Sequence, residues 1–268
     1  VSGAPLLDVA GLEVVYGRAI IALHNVTLHV DEGRLVALLG ANGAGKTTTL
    51  RAISGFFGLD DARVTKGTIC YRGEPIENLS PPRLTRRGIV LVPERDKVFP
   101  NLTVAENLAV VHSRRISAGE RRRLDNLVFD YFPRLAELRR LEAGLLSGGE
   151  RQMLALGAAI VCAPELLLID ELSLGLAPVI VADLAKRLVE IQHELKITFL
   201  LVEQSANTAL AIADYCYVLE NGAVAYEGTP ETLRCNDAIK KAYLGIGRDG
   251  EHNYRVLATR RLMAPTDG

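Results

Sequence analysis

The chain has 268 residues, 31 Lys and Arg against 32 Asp and Glu for a formal charge of −1, and 49% hydrophobic and 24% charged residues. That length supports one large domain, or one domain carrying a sizeable subdomain, with a full core. The near-neutral balance argues against nucleic acid as the main partner, since dedicated binders show a basic excess, and no apolar run reaches the ~18 to 20 residues of a membrane span.

The start, Val1-Ser2-Gly3-Ala4-Pro5, has neither the basic nor the apolar region of a secretory signal. Lacking an initiator Met, it reads as a processed or excised piece. Apolar residues then alternate over 6–15 and again over 22–30, with Val26, Leu28 and Val30 set against Thr27 and His29. This is the pattern of half-buried antiparallel strands. Tyr16 ends the first of them, where it either stacks on a base or packs against the sheet. His24 and His29 read as surface strand residues.

An apolar strand at 34–39 leads into Gly40-Ala41-Asn42-Gly43-Ala44-Gly45-Lys46-Thr47, and a helical run follows from Thr48. The spacing GxxxxGKT between strand and helix is that of a phosphate-binding P-loop. Its glycines let successive N–H groups converge on a phosphate at the positive end of the new helix. Lys46 adds a charge for the β- and γ-phosphates, and Thr47 a hydroxyl for Mg²⁺.

Gly55 stops the helix, and residues 58–67 read as a polar, turn-rich connection. Short strands are expected at Thr68-Ile69-Cys70-Tyr71 and Gly88-Ile89-Val90-Leu91-Val92, split by Pro81-Pro82 and a basic helical turn at 83–87. Pro93-Glu94 opens a loop through Phe99-Pro100-Asn101 at the carboxyl end of a strand, where α/β proteins meet their ligands. Thr103-Val104-Ala105-Glu106 is a capping box that opens a helix toward His112. The basic clusters Ser113-Arg114-Arg115 and Glu120-Arg121-Arg122-Arg123 lie on mostly helical sequence running to Leu141. They form either a solvated helix face or a contact for a partner or acidic lipid. No strand is expected from about 101 to 161, which makes this stretch an inserted helical subdomain.

Leu146-Ser147-Gly148-Gly149-Glu150-Arg151-Gln152 precedes an apolar helix over 153–162. Ser147 and Glu150 have capping-box spacing. Two glycines in a first turn cost ~1 kcal/mol each relative to Ala, so a second phosphate-binding surface explains them better than capping alone. Glu165-Leu166-Leu167-Leu168-Ile169-Asp170-Glu171 is a buried parallel strand that delivers two carboxylates to its carboxyl edge. Beside a P-loop, Asp170 is expected to hold the Mg²⁺ shell and Glu171 to orient or deprotonate the attacking water.

Pro178 opens a long amphipathic helix to Leu195. A further buried strand, Ile197-Thr198-Phe199-Leu200-Leu201-Val202, ends in Glu203-Gln204 at the same sheet edge. Asn221-Gly222 joins two strands with the residues of a type I′ turn. Short helices are expected after Thr229-Pro230-Glu231 and over 237–244, and the polar tail after Gly245 is expected to be loose. The four cysteines, Cys70, Cys162, Cys216 and Cys235, show no CxxC pair, and read as plain thiols of a reducing compartment.

The P-loop, the LSGGE string, the strand ending Asp-Glu and the helical insertion, in that order, resemble the ATP-binding subunit of ABC transporters. Val92-Pro93-Glu94, Ser173-Leu174-Gly175-Leu176-Ala177-Pro178 and Leu201-Val202-Glu203-Gln204 look like the LivF-type branch serving branched-chain amino acid importers. The resemblance implies an α/β fold: a P-loop NTPase core with an antiparallel β subdomain and an inserted α-helical subdomain at about 101–161. These form one domain over 1–244, with a flexible extension at 245–268. It implies an ATPase using ATP and Mg²⁺. Tyr16 would stack on adenine, and Gly43, Ala44, Gly45, Lys46, Thr47 and Thr48, with Gly40 and Asn42, would wrap the phosphates. Ser147, Gly148, Gly149 and Glu150 would serve the ATP of an opposite subunit. Glu94 replaces the usual glutamine that senses Mg²⁺ and water, and Gln204 replaces the usual histidine at the γ-phosphate. Glu94 adds negative charge there, and Gln204 offers only a neutral hydrogen bond. The implied partners are a second ATPase subunit, identical or sister, the membrane permease and, indirectly, a solute-binding protein. The implied place is the cytoplasmic face of the cell membrane. A non-transport assembly ATPase and a lipid-exporter subunit are the alternative readings.

Overall fold

The computed structural model describes residues 4–17, 19–57, 61–95, 97–111 and 116–236. The helix expected over 237–244, the tail after it and Ser113, Arg114 and Arg115 of the basic cluster lie outside the described residues.

Strands β1 (Leu7–Tyr16) and β2 (Ile20–Val30) form an antiparallel pair, and β4 (Ala62–Tyr71) joins the other side of β1. Val26, Leu28 and Val30 are buried, whereas Thr27 and His29 are exposed, as period-two alternation requires of a sheet covered on one face. The third strand is longer than its sequence suggests. Polar residues 62–67 continue it because β1 supplies a ladder, pairing Tyr16 with Ala62 and Val14 with Val64. At Gly67, whose φ is 81°, two residues of β1, Gly11 and Leu12, stand against one of β4, a bulge on the β1 side. The two-residue β5 (Glu74–Pro75) closes this edge.

The second half of the sheet is parallel. Strands β3 (Leu35–Gly40), β8 (Thr198–Glu203), β7 (Leu166–Asp170) and β6 (Ile89–Val92) lie side by side, with β9 (Tyr215–Glu220) on the far side of β3. β10 (Ala223–Gly228) pairs antiparallel with β9 through a turn in which Asn221 and Gly222 both have positive φ, 47° and 79°. That geometry is the expected type I′ turn. One pair, Ala223 with Asn25, joins β10 to β2 and makes a single ten-stranded sheet.

Every residue of β3, β7 and β8 is buried, because both faces of the parallel sheet are covered. Leu35, Ala37 and Leu39 point into one core with Leu167, Ile169, Phe199 and Leu201. Val36 and Leu38 point into the other with Leu166, Leu168, Leu200 and Val202. The second core also takes Leu50 and Ile53 from helix α1 (Lys46–Ser54), which stops at Gly55 in a left-handed conformation. The first takes α7 (Pro178–Leu195) and α8 (Ala206–Ile212). Each such side chain, fully buried, contributes ~1.5 to 3 kcal/mol. Two short helices, α2 (Pro81–Arg86) and α9 (Pro230–Cys235), both begin on Pro, whose missing N–H costs nothing at a helix start.

Between β6 and β7 the named elements among the described residues are helical: α3 (Val104–Val110), α4 (Ala118–Tyr131), α5 (Pro133–Glu137), a 3₁₀ turn at Ala143–Leu145, and α6 (Gly148–Ile160). The run expected to reach Leu141 breaks at Phe132 because Pro133 follows it. The helices approach closely at Gly157 of α6, where a Cβ would stand 2.6 Å from Val128 Cγ1. Among the described residues no helix is long and apolar enough to cross a membrane.

Candidate functional site

Parallel register sets the site. Leu39 pairs with Glu203, Asp170 with Val202, and Val92 with Ile169, so β3, β6, β7 and β8 end at one edge. Crevices outside such an edge are where open α/β sheets take ligands.

Residues 41–45 join β3 to α1. Gly45 has φ 105°, and a Cβ there would sit 2.5 Å from Leu23 Cδ2 and 3.2 Å from the Ala22 carbonyl oxygen. Conformation and space both demand glycine. The β9–β10 turn braces this loop: Gly222 N–H donates to the Ala44 carbonyl at 2.9 Å, and His24 N–H donates to the Gly222 carbonyl at 2.9 Å. No side chain caps the start of α1, which leaves N–H donors at the positive helix end for an anion.

The Lys46 ammonium is buried and donates to the carbonyls of Gly40 at 3.0 Å and Ala41 at 3.2 Å. It also lies 3.6 Å from Glu171 Oε1, itself buried. Thr47 Oγ1 donates to Asp170 Oδ1 at 3.1 Å. Burial raises the Asp170 pKa above the ordinary aspartate value; the Thr47 hydroxyl opposes this, and the charges of Glu171 and Glu94 add to it. Glu171 has φ 60°, a left-handed conformation that stores ~1 to 3 kcal/mol in a non-glycine residue and marks functional sites. Its N–H is anchored on the Val202 carbonyl at 3.1 Å.

Asn42, Gly43, Gly45, Lys46, Thr47 and Thr48 line one open cleft with Glu94 and Glu171. Its volume of about 590 Å³ falls in the range of small-molecule sites. Gly40 and Ala44 are buried and shape the loop from beneath. Glu94 pairs with Arg95 at 3.1 Å, a positive partner for the charge it brings. Tyr16 lies at the margin, with its hydroxyl 3.4 Å from Thr48 Oγ1 and its ring edge-on to Phe57 at 6.3 Å. Gln204 is exposed beyond β8 and does not line the cleft. Among the described residues no group of three or more His, Cys, Asp or Glu could hold a metal. Thr47 and Asp170 supply a partial set of hard oxygens, the kind Mg²⁺ completes with phosphates and water.

The second motif lies apart from the first. Ser147 caps α6 by accepting from Glu150 N–H at 3.3 Å, and Ser147 N–H donates to Glu150 Oε2 at 2.9 Å. The capping box is therefore real. Arg134 Nε donates to Glu150 Oε1 at 2.9 Å, so the Glu150 carboxylate is taken up in holding the turn. The Ser147 N–H bond, then Arg134, hold its pKa below the ordinary glutamate value. Ser147, Gly148 and Gly149 line a different hollow, with Leu176, Ala177 and Ile180. A Cβ on Gly149 would stand 3.0 Å from Ile180 Cγ2. Among the described residues none lines both openings.

Three contributors escape the sequence reading. Arg134 is one of many surface arginines until its bond to Glu150 is seen. Lys97 donates to Gln152 Oε1, tying the loop after β6 to α6, and burial lowers its pKa. Glu203 carried a signal, an acid ending an apolar strand as Asp170 does, but its partners come from another loop.

Comparison with known proteins agrees with this geometry. The family model described as ABC transporter matches residues 23–173. The chain is 41% identical over 240 residues to the high-affinity branched-chain amino acid transport ATP-binding protein BraG of Pseudomonas aeruginosa, covering 90% of this chain and 100% of that protein. It is 38% identical to the probable branched-chain amino acid transport ATP-binding protein LivF of Archaeoglobus fulgidus, covering 84% and 92% respectively. Its fold matches an ATP-binding cassette of an ABC transporter solved in an ADP conformation, at TM-score 0.76 and 24% identity, over 91% of this chain and all of that one.

Proposed function

This chain belongs to the ABC transporter family, whose ATP-binding domain hydrolyses ATP, and from that membership we propose that it powers uptake of branched-chain or related amino acids through a membrane permease. The observation that carries the proposal is the 41% identity that spans the full length of a branched-chain amino acid transport subunit. The permease would dock beside residues 94–101, between the sheet and the helical insertion, and hold the chain at the cytoplasmic face of the membrane. A solute-binding protein would deliver the amino acid from the other side.

The chemistry follows from the cleft. Lys46 exchanges its Gly40, Ala41 and Glu171 partners for the β- and γ-phosphates of ATP, and the N–H groups of 43–48 surround them. Losing Lys46 frees Glu171 to take a proton from the attacking water. Thr47 and Asp170 would hold Mg²⁺, which when bound neutralises charge on the β- and γ-oxygens. Glu94 would meet the outer part of that shell and Tyr16 would present its ring to adenine, whereas Gln204, which stands outside the cleft, would offer its neutral hydrogen bond to the γ-phosphate only once closure brings it there. Ser147, Gly148 and Gly149 line a hollow separate from the P-loop cleft, which supports their serving ATP on a second subunit. Two subunits then close on two nucleotides, and hydrolysis reopens them.

The test is reconstitution of the chain with its co-purified permease in proteoliposomes. ATP-dependent uptake of labelled leucine, isoleucine or valine is expected, and a complex that hydrolyses ATP while moving none of them, or a related amino acid, overturns the substrate class.

A further inference from the structure

We propose that Glu203 is a positioning residue for hydrolysis, holding the loop after β7 and the loop after β8 as one piece so that Glu171 and Gln204 keep a common frame. The inference rests on the ATPase reading of Glu171.

Glu203 is the last residue of β8 and has no exposed surface. Its Oε1 accepts from Leu172 N–H and Ser173 N–H, each at 2.9 Å. Its Oε2 accepts from Ser173 Oγ at 2.7 Å and from Ser205 N–H at 3.4 Å. All four donors are neutral, and they sit on two loops. Leu172 directly follows Glu171, and Ser205 directly follows Gln204. Burying a carboxylate among neutral donors is costly unless its acceptor positions are filled. Packing alone would be served by an apolar side chain. Four donors converging from two loops need what a carboxylate has, two oxygens with several acceptor sites.

The clamp completes a restraint that the main chain begins. Glu171 holds a left-handed φ of 60°, which persists only where neighbours over-determine it. On its amino side, its own N–H donates to Val202 O at 3.1 Å. On its carboxyl side, the next N–H belongs to the Glu203 carboxylate. Residue 171 is thus pinned to β8 from both sides, and Gln204 continues from the same strand. None of the clamp's four hydrogen bonds comes from Lys46, Thr47 or the P-loop backbone, so nucleotide capture is testable apart from it.

The test uses the purified full chain, with steady-state Mg·ATP hydrolysis, trinitrophenyl-ATP binding and circular dichroism melts. A misplacement of about 1 Å in a catalytic group costs about 100-fold in rate, so Glu203→Ala should lower kcat by about that factor while nucleotide affinity changes less than about twofold. Glu203→Gln keeps an oxygen for the Leu172 and Ser173 amides and should recover kcat to within about tenfold of wild type. Ser173→Ala removes one bond without opening the core, and should lower kcat about two- to tenfold at unchanged affinity. Wild-type kcat in Glu203→Ala overturns the proposal. So does a loss of binding and rate together in proportion to unfolded protein. Glu171→Gln is run alongside. If it hydrolyses normally, the general-base reading fails; if it is inactive while Glu203→Ala is not, only the clamp fails.

Discussion

Two capping boxes with similar backbone bonds allow the proposed phosphate-binding role of Ser147 to be separated from its role in the helix. In α3, Thr103 accepts from Glu106 N–H at 3.2 Å and Thr103 N–H donates to Glu106 Oε2 at 2.8 Å. In α6 the corresponding distances are 3.3 Å and 2.9 Å. Replacing either cap by Ala should therefore cost about 1 kcal/mol of stability, a fall of about 2 to 4 °C in Tm for a domain of this size. Against a total stability of ~5 to 15 kcal/mol, that loss leaves nearly every molecule folded at 25 °C, so stability alone cannot slow hydrolysis. Thr103→Ala should keep ATPase activity within about twofold. Ser147→Ala should lose more than about tenfold in kcat, because a γ-phosphate contact made by a hydroxyl is worth at least a charge-assisted hydrogen bond, ~1.5 to 3 kcal/mol. ATP affinity measured on isolated subunits should be unchanged in both, since Ser147 does not line the P-loop cleft. Matching Tm falls with matching ATPase rates would show that the Ser147 hydroxyl does no more than cap a helix.

Glu171→Gln should bind ATP at least as well as wild type, because it removes the anion paired with Lys46 at 3.6 Å, and should accumulate as an ATP-bound dimer in size-exclusion chromatography with light scattering; phosphate release at the normal rate would refute its role as base. Asp170→Asn tests the electrostatics. The native protein holds the Asp170 proton more tightly than the unfolded chain does, since its pKa is raised above 3.8. That contribution to stability is present below 3.8 and is lost as pH rises through the raised value. The amide should therefore raise the Tm of the nucleotide-free protein at pH 7, the gain should shrink toward pH 4, and Mg²⁺-dependent hydrolysis should vanish. A lower Tm at pH 7 would contradict the burial penalty.

Much of this molecule is legible locally. The P-loop, both capping boxes, the Pro178 helix start and the Asn221-Gly222 turn each carry their cause within a few residues. The buried strands announce themselves as short apolar runs, and those ending in Asp170 and Glu203 show where polar chemistry emerges. What the sequence does not carry is pairing between distant segments. Strand β4 begins at Ala62 because β1 offers it a ladder, and no propensity in Thr65, Lys66 or Gly67 would announce that. Arg134 reaches Glu150, and Lys97 reaches Gln152, across the helical insertion. Glu203 shows the same limit from the other side: its type and place are plain, but its function depends on Leu172, Ser173 and Ser205 being brought to it.

The separation of the P-loop cleft from the hollow at Ser147, Gly148 and Gly149 is what the proposed two-subunit mechanism would use. The P-loop can capture a triphosphate by itself, with Lys46, Thr47 and the uncapped start of α1. Lys46 is held on Gly40, Ala41 and Glu171, so the proposed base is paired with the cation assigned to the phosphates. On that proposal, phosphate capture would draw Lys46 from Glu171 without surrounding the γ-phosphate. The glycines at 148 and 149 open onto a different hollow. On the proposed function, the remaining donors would come from a second chain, and nucleotide binding would close a dimer. Loop 172–176 runs from the Glu203 clamp to the rim of that hollow, where Gly175 and Leu176 stand. On the proposed mechanism, a partner pressing on Leu176 would therefore act on the segment that holds Glu171, and closure would be coupled to the readiness of the base.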